Sequence, residues 1–236
     1  MSTTLLTEAL VVHVGTAQAG PTGVRDLRRG LANFPGKPLP NSLLKHTDDQ
    51  AVLALDAVRA SLTEAGDFAG WGIVAAPRRP GRSIMQPAIP RYHSEGAWSV
   101  SPHIVPHCSL HSLSGLLSMA LEVHGPNLGA GGVPGSEGEA VVAALTLLAG
   151  DQLPGIWILF TGWEPEAGPD AVCRAVALGV TRPGGAGQGR LRWSSALSHQ
   201  ADFDLEALHE TIRQQRTTAW SLGHNGSLQL SFEELQ

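Results

Sequence analysis

One stretch of the chain, GPNLGAGGVPGSEGEAVVAALTLLAG from Gly125 to Gly150, constrains the fold more than any other. It begins extended, bends through a glycine-rich turn and continues into helix-forming residues that Gly150 ends. Ser136 and Glu139 have the spacing of a capping box, which predicts that the helix begins at Ser136. Strand, sharp turn and helix in this order often present a nucleophile at the helix N-terminus. The tip of this turn instead carries Val133, Pro134 and Gly135.

The turn matches neither of the two common glycine-rich motifs for nucleotides. It fits neither G-x-G-x-x-G nor G-x-x-x-x-G-K-[ST], and no Lys or Arg lies near it in sequence. A hydrolase nucleophile at Ser136 would call for glycine two residues earlier, where the chain has Pro134. Tight turning therefore explains the glycines better, and Ser136 is expected to cap its own helix.

Charge and cysteine content exclude several classes of partner and site. The chain has 16 Lys and Arg against 21 Asp and Glu, a net charge of -5, and no long basic run, which argues against nucleic acid or an anionic membrane. The apolar run near the N-terminus is too short to span a membrane, and no signal-peptide features precede it. Cys108 and Cys173 form no CxxC, so a reducing, cytoplasmic location is expected.

Strand and helix patterns alternate along the 236 residues, 42% of them hydrophobic, which is enough for one domain with a substantial core. Strands are expected at 9–18, 71–77, 155–164, 191–197 and 227–233, and 171–180 favours a strand over a helix. Helices are expected at 47–66, 109–125, 136–150 and 203–216, and 77–90 is expected to be an exposed loop. This order predicts an α/β fold whose sheet is covered by helices on both sides.

Two further groups of residues have both a chemical and a structural interpretation. His103, His107 and His111 are spaced four apart, but Pro102 and Pro106 interrupt the continuous helix that a metal site would need. Cys108 precedes a predicted helix, where a thiolate would be stabilised, although a buried structural thiol is the commoner case. Packing is the preferred interpretation of both, and no metal is expected.

Three segments carry a family pattern: VSPHIVPHCSLHSLSGLLSMALEVHGPN from Val100, GAGGVPGSEGEAVVAALTLLAGD from Gly129 and IWILFTGWEPE from Ile156. Together they resemble the N-terminal half of the β-ketoacyl synthases, members of the thiolase-like superfamily, over about residues 10–180. The resemblance implies a thiolase-like half-domain with a mixed sheet covered by helices on both sides. It favours one domain over residues 1–236, with a core at 1–183 and a strand-helix-strand extension at 184–236.

The resemblance also implies that the chemistry of the synthases is missing. Aligning Ser136 with the serine of the synthase turn places Pro134 where those enzymes have the acyl-accepting cysteine, and proline has no side-chain atom to acylate. The synthases' two catalytic histidines lie in a C-terminal half for which the chain has no matching motif. We therefore expect no acyl transfer by the chain alone and no cofactor.

Non-catalytic relatives of the synthases, the chain-length factors, pair with an active ketosynthase and shape its acyl tunnel. A short synthase-like family, some members of which occur in aryl-polyene pigment clusters, has about the length of this chain. Synthases dimerise through the strand that leads into the turn, here 127–133, which makes Asn127, Leu128 and Val133 interface candidates. By the same resemblance, the residues expected to face the tunnel are Val100, His103, Leu116 and Met119.

The expected partner is a catalytic ketosynthase of polyketide, fatty-acid-type or aryl-polyene biosynthesis, with an acyl carrier protein involved indirectly. A homodimer is the second possibility, in which the extension covers the surface that the missing half would have covered. An alternative function is a diverged acyl transferase or hydrolase that uses Cys108 or Ser136.

Overall fold

The structure, a computed structural model, describes residues 7–31, 34, 38–62, 66–133, 135–150, 152–165, 168, 170–196 and 200–232. Within these residues the side chains of Asn41, Ser42, His103 and Asn225 are not described. The strands are β1 (Glu8–Ala19), β2 (Gly72–Pro77), β3 (Asn127–Gly129), β4 (Ile156–Glu164), β5 (Val172–Thr181), β6 (Gly189–Ser194), β7 (Thr218–Ser221) and β8 (Ser227–Phe232). The helices are α1 (Pro21–Gly30), α2 (Asn41–His46), α3 (Asp49–Ser61), α4 (Arg82–Glu95), α5 (His111–Leu121), α6 (Glu137–Ala149) and α7 (Leu205–Arg213). Two 3-10 helices, Ala97–Ser99 and Pro102–Cys108, connect α4 to α5.

The eight strands form one mixed sheet in the order β3-β2-β4-β5-β1-β6-β8-β7. The β3, β2 and β4 strands are parallel to one another, and β5, β1, β6, β8 and β7 continue the sheet in antiparallel pairs. The β3 strand is therefore one edge of the described sheet, and the turn that follows it starts from that edge.

Two hydrophobic layers cover the two faces of the sheet. One contains residues of α3 and α5 against β2, β4 and β5, and its largest aromatic cluster joins Phe68, Trp71 and Trp157. The other contains residues of α6 and α7 against the opposite face of the same strands. Strands buried on both faces have near-continuous apolar sequences, which explains why every residue of β2 is buried. The predicted α/β architecture with a mixed sheet covered on both sides is confirmed.

The loop predicted at 77–90 is wrong, because residues 82–95 form α4 despite Pro87 and Pro90. A proline inside a helix leaves the carbonyl four residues earlier without a donor, here those of Ser83 and Gln86. Both of these residues are exposed, so water can satisfy the two carbonyls. Gly81, with a φ of +73°, starts the helix, and a side chain there would collide with Cys108.

The strand preferred at 171–180 is confirmed as β5. The helix predicted to end at Gly66 ends at Ser61, and residues 63–65 lie outside the described residues. Beyond residue 184 the chain forms β6, α7, β7 and β8, and these three strands extend the same sheet. None of the described helices is both long and apolar enough to cross a membrane.

Candidate functional site

The turn between β3 and α6 lies at the edge of the described sheet. Ala130 donates its N–H to the Ala75 carbonyl at 2.8 Å, and the Gly132 carbonyl accepts from Arg79 N–H at 2.9 Å. Gly131 and Gly132 have φ values of +82° and +109°, which side chains rarely adopt, so the glycines serve the bend itself. The tip residue Pro134 lies outside the described residues.

The capping box predicted from Ser136 and Glu139 is wrong. Ser136 is the N-cap residue, but its hydroxyl donates back to the Val133 carbonyl at 2.5 Å, and Glu139 is exposed. Glu137 reaches back instead, and its Oε2 accepts from Gly135 N–H at 2.9 Å. A buried carboxylate thus fixes the turn, and the Ser136 hydroxyl is held against the backbone.

An ion-pair network lies beneath the turn and links the end of β2 to α6, β4, β5 and α7. Arg78, directly after β2, donates from Nε to Glu137 and from Nη1 to Glu164 at 2.6 Å, at the end of β4. Glu164 also accepts from Arg174 of β5 at 3.4 Å, and Arg174 donates to Glu206 of α7 at 2.6 Å. Burial raises the pKa of Glu164, and the Arg78 guanidinium opposes that shift. The end of the sheet near the turn is therefore occupied by paired charges.

The β3 edge carries the three interface candidates. Leu128 and Val133 are 41% and 59% exposed, and Asn127 is half-buried. The Asn127 Nδ2 donates to the Ser114 carbonyl at 3.3 Å, whereas its Oδ1 is buried without a hydrogen-bond partner. A side chain at Gly129 would collide with the Leu110 carbonyl, so α5 and β3 are in close contact.

All eight large hydrophobic side chains that are exposed in the described residues lie between positions 85 and 133. We call this set the exposed apolar face: Met85, Ile89, Tyr92, Trp98, Val105, Met119, Leu128 and Val133. On α4 the members are spaced four and then three residues apart, which places them along one side of the helix. Trp98 is 100% exposed. Exposed apolar side chains that form a contiguous patch mark a protein-protein or membrane contact.

The four tunnel candidates have different environments. Met119 is 48% exposed on α5, and Leu116, on the same helix, is buried in the core against the sheet. Val100 is half-buried between the two 3-10 helices. His103 lies within the second 3-10 helix, but its side chain is outside the described part of the structure.

Cys108 and Asp48 lie together at the start of α4. The Cys108 thiol donates to the Gly81 carbonyl at 3.9 Å, and the buried Asp48 carboxylate accepts from Gly81 N–H at 3.1 Å. Burial raises the pKa of Asp48 to about 6, and burial together with the Asp48 charge raises the pKa of the Cys108 thiol. Burial raises the pKa of Cys173 well above its usual value. Both thiols are therefore held protonated, unlike an activated nucleophile.

The histidines stand apart from any metal-binding arrangement within the described residues. The His107 ring stacks on His46 with a centroid distance of 6.4 Å. Burial and the neighbouring His46 lower the pKa of His107. No group of three or more His, Cys, Asp or Glu in the part of the chain that the structure describes could hold a metal ion.

The sequence alone did not indicate α4, the exposed apolar face or the Arg78 network. Two prolines hid the helical pattern of α4, although the spacing of Met85, Ile89 and Tyr92 was a signal that could have revealed it. The Arg78 network joins positions up to 86 residues apart, which no local pattern can indicate.

Comparison with known proteins identifies the fold. No protein-family model and no curated protein matches the sequence. Among solved structures, a chain of the complex of the ketosynthase ApeO with its chain length factor ApeC from Xenorhabdus doucetiae is similar, with a TM-score of 0.62 and 17% identity over 96% of this chain and 99% of that one. The ishigamide ketosynthase/chain length factor has a TM-score of 0.53 and 14% identity over 89% of this chain and 72% of that one. A β-ketoacyl synthase from Burkholderia phymatum has a TM-score of 0.56 and 12% identity over 87% of this chain and 69% of that one. The chain therefore has the thiolase-like fold of ketosynthases and chain length factors.

Proposed function

We propose that this chain is a non-catalytic, chain-length-factor-like subunit that pairs with an active ketosynthase and shapes its acyl tunnel. The observation that carries the proposal is the exposed apolar face, which extends to the unpaired edge of the sheet. The proposed pathway is polyketide, fatty-acid-type or aryl-polyene biosynthesis, in which an acyl carrier protein would meet the ketosynthase rather than this chain.

The β3 edge supports a partner strand. In the described sheet β3 pairs with β2 on one side, and its other side has no neighbouring strand. An edge strand presents unpaired N–H and C=O groups, which a strand from another chain can satisfy. Leu128 and Val133 would then be buried by the same contact.

Continuity between the edge and the α4 region supports one large contact surface. The Gly132 carbonyl accepts from Arg79, three residues before α4, and Leu110 packs against Gly129 and Gly132. The chain from α4 to α5 thus begins and ends beside the β3 turn. Stable interfaces bury on the order of 800 Å² from each partner, more than the three residues of β3 can supply, so the contact would also have to include the exposed apolar face.

The turn supports a role without acyl chemistry. In the alignment with the synthases, Pro134 occupies the position of the nucleophile, and proline offers no group to acylate. The Glu137 carboxylate accepts a hydrogen bond from the Gly135 N–H. Neither cysteine of the chain lies between residues 126 and 150. A relative of almost identical length comes from a complex of a ketosynthase with its chain length factor, which supports the same role here.

The tunnel wall would come from the region where α5 meets the 3-10 helices. Met119 is the best placed of the four candidates because it is exposed on α5, the helix that packs against the edge strand. Val100 is half-buried between the two 3-10 helices, and Leu116 would support Met119 from the core. A larger side chain at residue 119 is expected to shorten the products of the pair.

Co-expression with the ketosynthases of the source genome tests the proposed interface. Leu128→Arg should abolish co-purification, because it would bury an unpaired guanidinium against the partner strand. Gln214→Arg adds the same charge to an exposed position after α7 and should leave the complex intact. Both variants should retain the far-ultraviolet circular dichroism of the wild type. Equal co-purification of the two variants would contradict the proposed interface.

A further inference from the structure

A groove separates α2 from α4 and the second 3-10 helix, and of the residues that line it the ketosynthase-partner proposal uses only Met119. Its volume is about 960 Å³. Small-molecule sites have volumes of about 300–1,000 Å³, so the groove is large enough for an elongated ligand. Its walls belong to this chain, whereas an acyl tunnel at the dimer interface would need residues of two chains.

The groove has an apolar wall. Leu43 of α2, Ile84 of α4, Ile104 of the 3-10 helix and Met119 of α5 line it. Apart from Met119, each of these side chains is half-buried, so each presents part of its surface to the groove. A hydrocarbon chain placed along them would remove apolar surface from water on both sides of the contact.

The groove also has a rim of nitrogen donors. Lys45, His46 and His107 line it, and the two imidazoles stack on each other at 6.4 Å. Ile104 and His107 are three residues apart in a 3-10 helix and therefore share one of its faces, about 6 Å apart along the axis. The 3-10 helix thus places a polar donor and an apolar contact one turn apart.

The other charged side chains near the rim already have partners within the chain, so they do not neutralise a bound anion. Arg28 donates to Asp49 at 2.7 Å and to the Thr47 carbonyl at 2.8 Å, so this ion pair is internally balanced. The Asp48 carboxylate faces Gly81 N–H, behind Ser83. Lys45 is exposed and takes part in no ion pair among the described residues.

We propose that this groove binds a long-chain carboxylic acid, with the carboxylate at Lys45, His46 and His107 and the hydrocarbon chain along Ile84, Ile104 and Met119. The site goes beyond the proposed function, because it would belong to this chain alone and does not require a ketosynthase. Charge-assisted hydrogen bonds from the imidazoles and the ammonium group would fix the head group. The apolar wall would supply most of the affinity.

Fluorescence titration of the purified chain with cis-parinaric acid tests the proposal, because this probe becomes fluorescent in apolar surroundings. The methyl ester of the probe keeps the hydrocarbon chain and loses the charge. We expect the acid to bind at least about tenfold more tightly than the ester, the effect of one charge-assisted contact.

Variants locate the probe. His46→Ala with His107→Ala should weaken binding of the acid by about tenfold or more and remove its advantage over the ester. His93→Ala changes an exposed histidine of α4 that does not line the groove and should bind as the wild type does. Ile89→Ser with Tyr92→Ser reduces the exposed apolar face and should also leave binding unchanged.

The proposal is overturned if no fluorescence develops, if the acid and the ester bind equally, or if only the Ile89 and Tyr92 variant loses binding. The last result would mean that the probe sits on the exposed apolar face. The same histidine variant should still co-purify with a ketosynthase. If the wild type forms no complex with a ketosynthase but still binds the probe, the proposed function is refuted and the groove site is retained.

Discussion

Replacing Arg78 by methionine should destabilise the fold strongly, because it leaves a buried carboxylate without its counter-ion. The Glu137 side chain is 2% exposed and that of Arg78 is 14% exposed. Removing one partner of a buried ion pair costs about 3–5 kcal/mol. For a chain of this size about 1 kcal/mol lowers Tm by 2–4 °C, so Arg78→Met should lower Tm by roughly 6–20 °C.

Differential scanning fluorimetry with two companion variants tests this reasoning. Adding Glu137→Gln to Arg78→Met removes the orphaned charge and should recover part of the loss. Arg29→Met breaks an ion pair with Asp26 whose side chains are 82% and 70% exposed, which should cost under about 1 kcal/mol. If Arg78→Met and Arg29→Met lower Tm by the same amount, the network beneath the turn does not have the importance assigned to it.

Three further outcomes follow from the burial of individual groups. Because folding raises the pKa of Asp48 from 3.8 to about 6, the folded state binds the proton more tightly, and stability should fall by about 3 kcal/mol as the pH rises from 4 to above 6. Asp48→Asn should remove this loss in urea titrations at pH 4, 5.5 and 7.5, and an unchanged pH profile would contradict the assignment. Gly129→Val should lower Tm, because the new side chain would collide with Leu110 where β3 contacts α5. Gly96→Val is the control, because residue 96 has a positive φ but open space around it, so this variant adds backbone strain without a collision. Equal losses of Tm in the two variants would count against the collision. Intact-mass analysis after incubation with acyl thioesters should show no adduct, because both thiols have raised pKa values; an adduct on Cys108 or Ser136 would favour the acyl-transferase or hydrolase alternative.

Regular apolar periodicity made the strands and most helices predictable. The β2, β4 and β5 strands are buried on both faces, so their sequences are almost continuously apolar. The α4 helix was missed for a physical reason. It packs mainly on the 3-10 helices, buries only Ala88 and contains two prolines, so it has neither the hydrophobic stripe of a core helix nor an uninterrupted backbone pattern.

The position of the turn was predictable, but its chemistry was not. Glycines at positive φ and a following helix define the turn locally. Which carboxylate secures it depends on Arg78, which approaches Glu137 from 59 residues away in sequence. The predicted box with Glu139 failed because Glu137 is the residue that lies against Arg78, while Glu139 faces solvent. The groove with His46 and His107 likewise joins segments that no spacing rule relates.

Light scattering on the co-expressed and purified pair tests the central claim most directly. We expect this 24.8 kDa chain to elute with a ketosynthase as a stable complex of one copy of each. A chain that elutes only as a monomer or as a homodimer, with every ketosynthase of its genome present, would contradict the account.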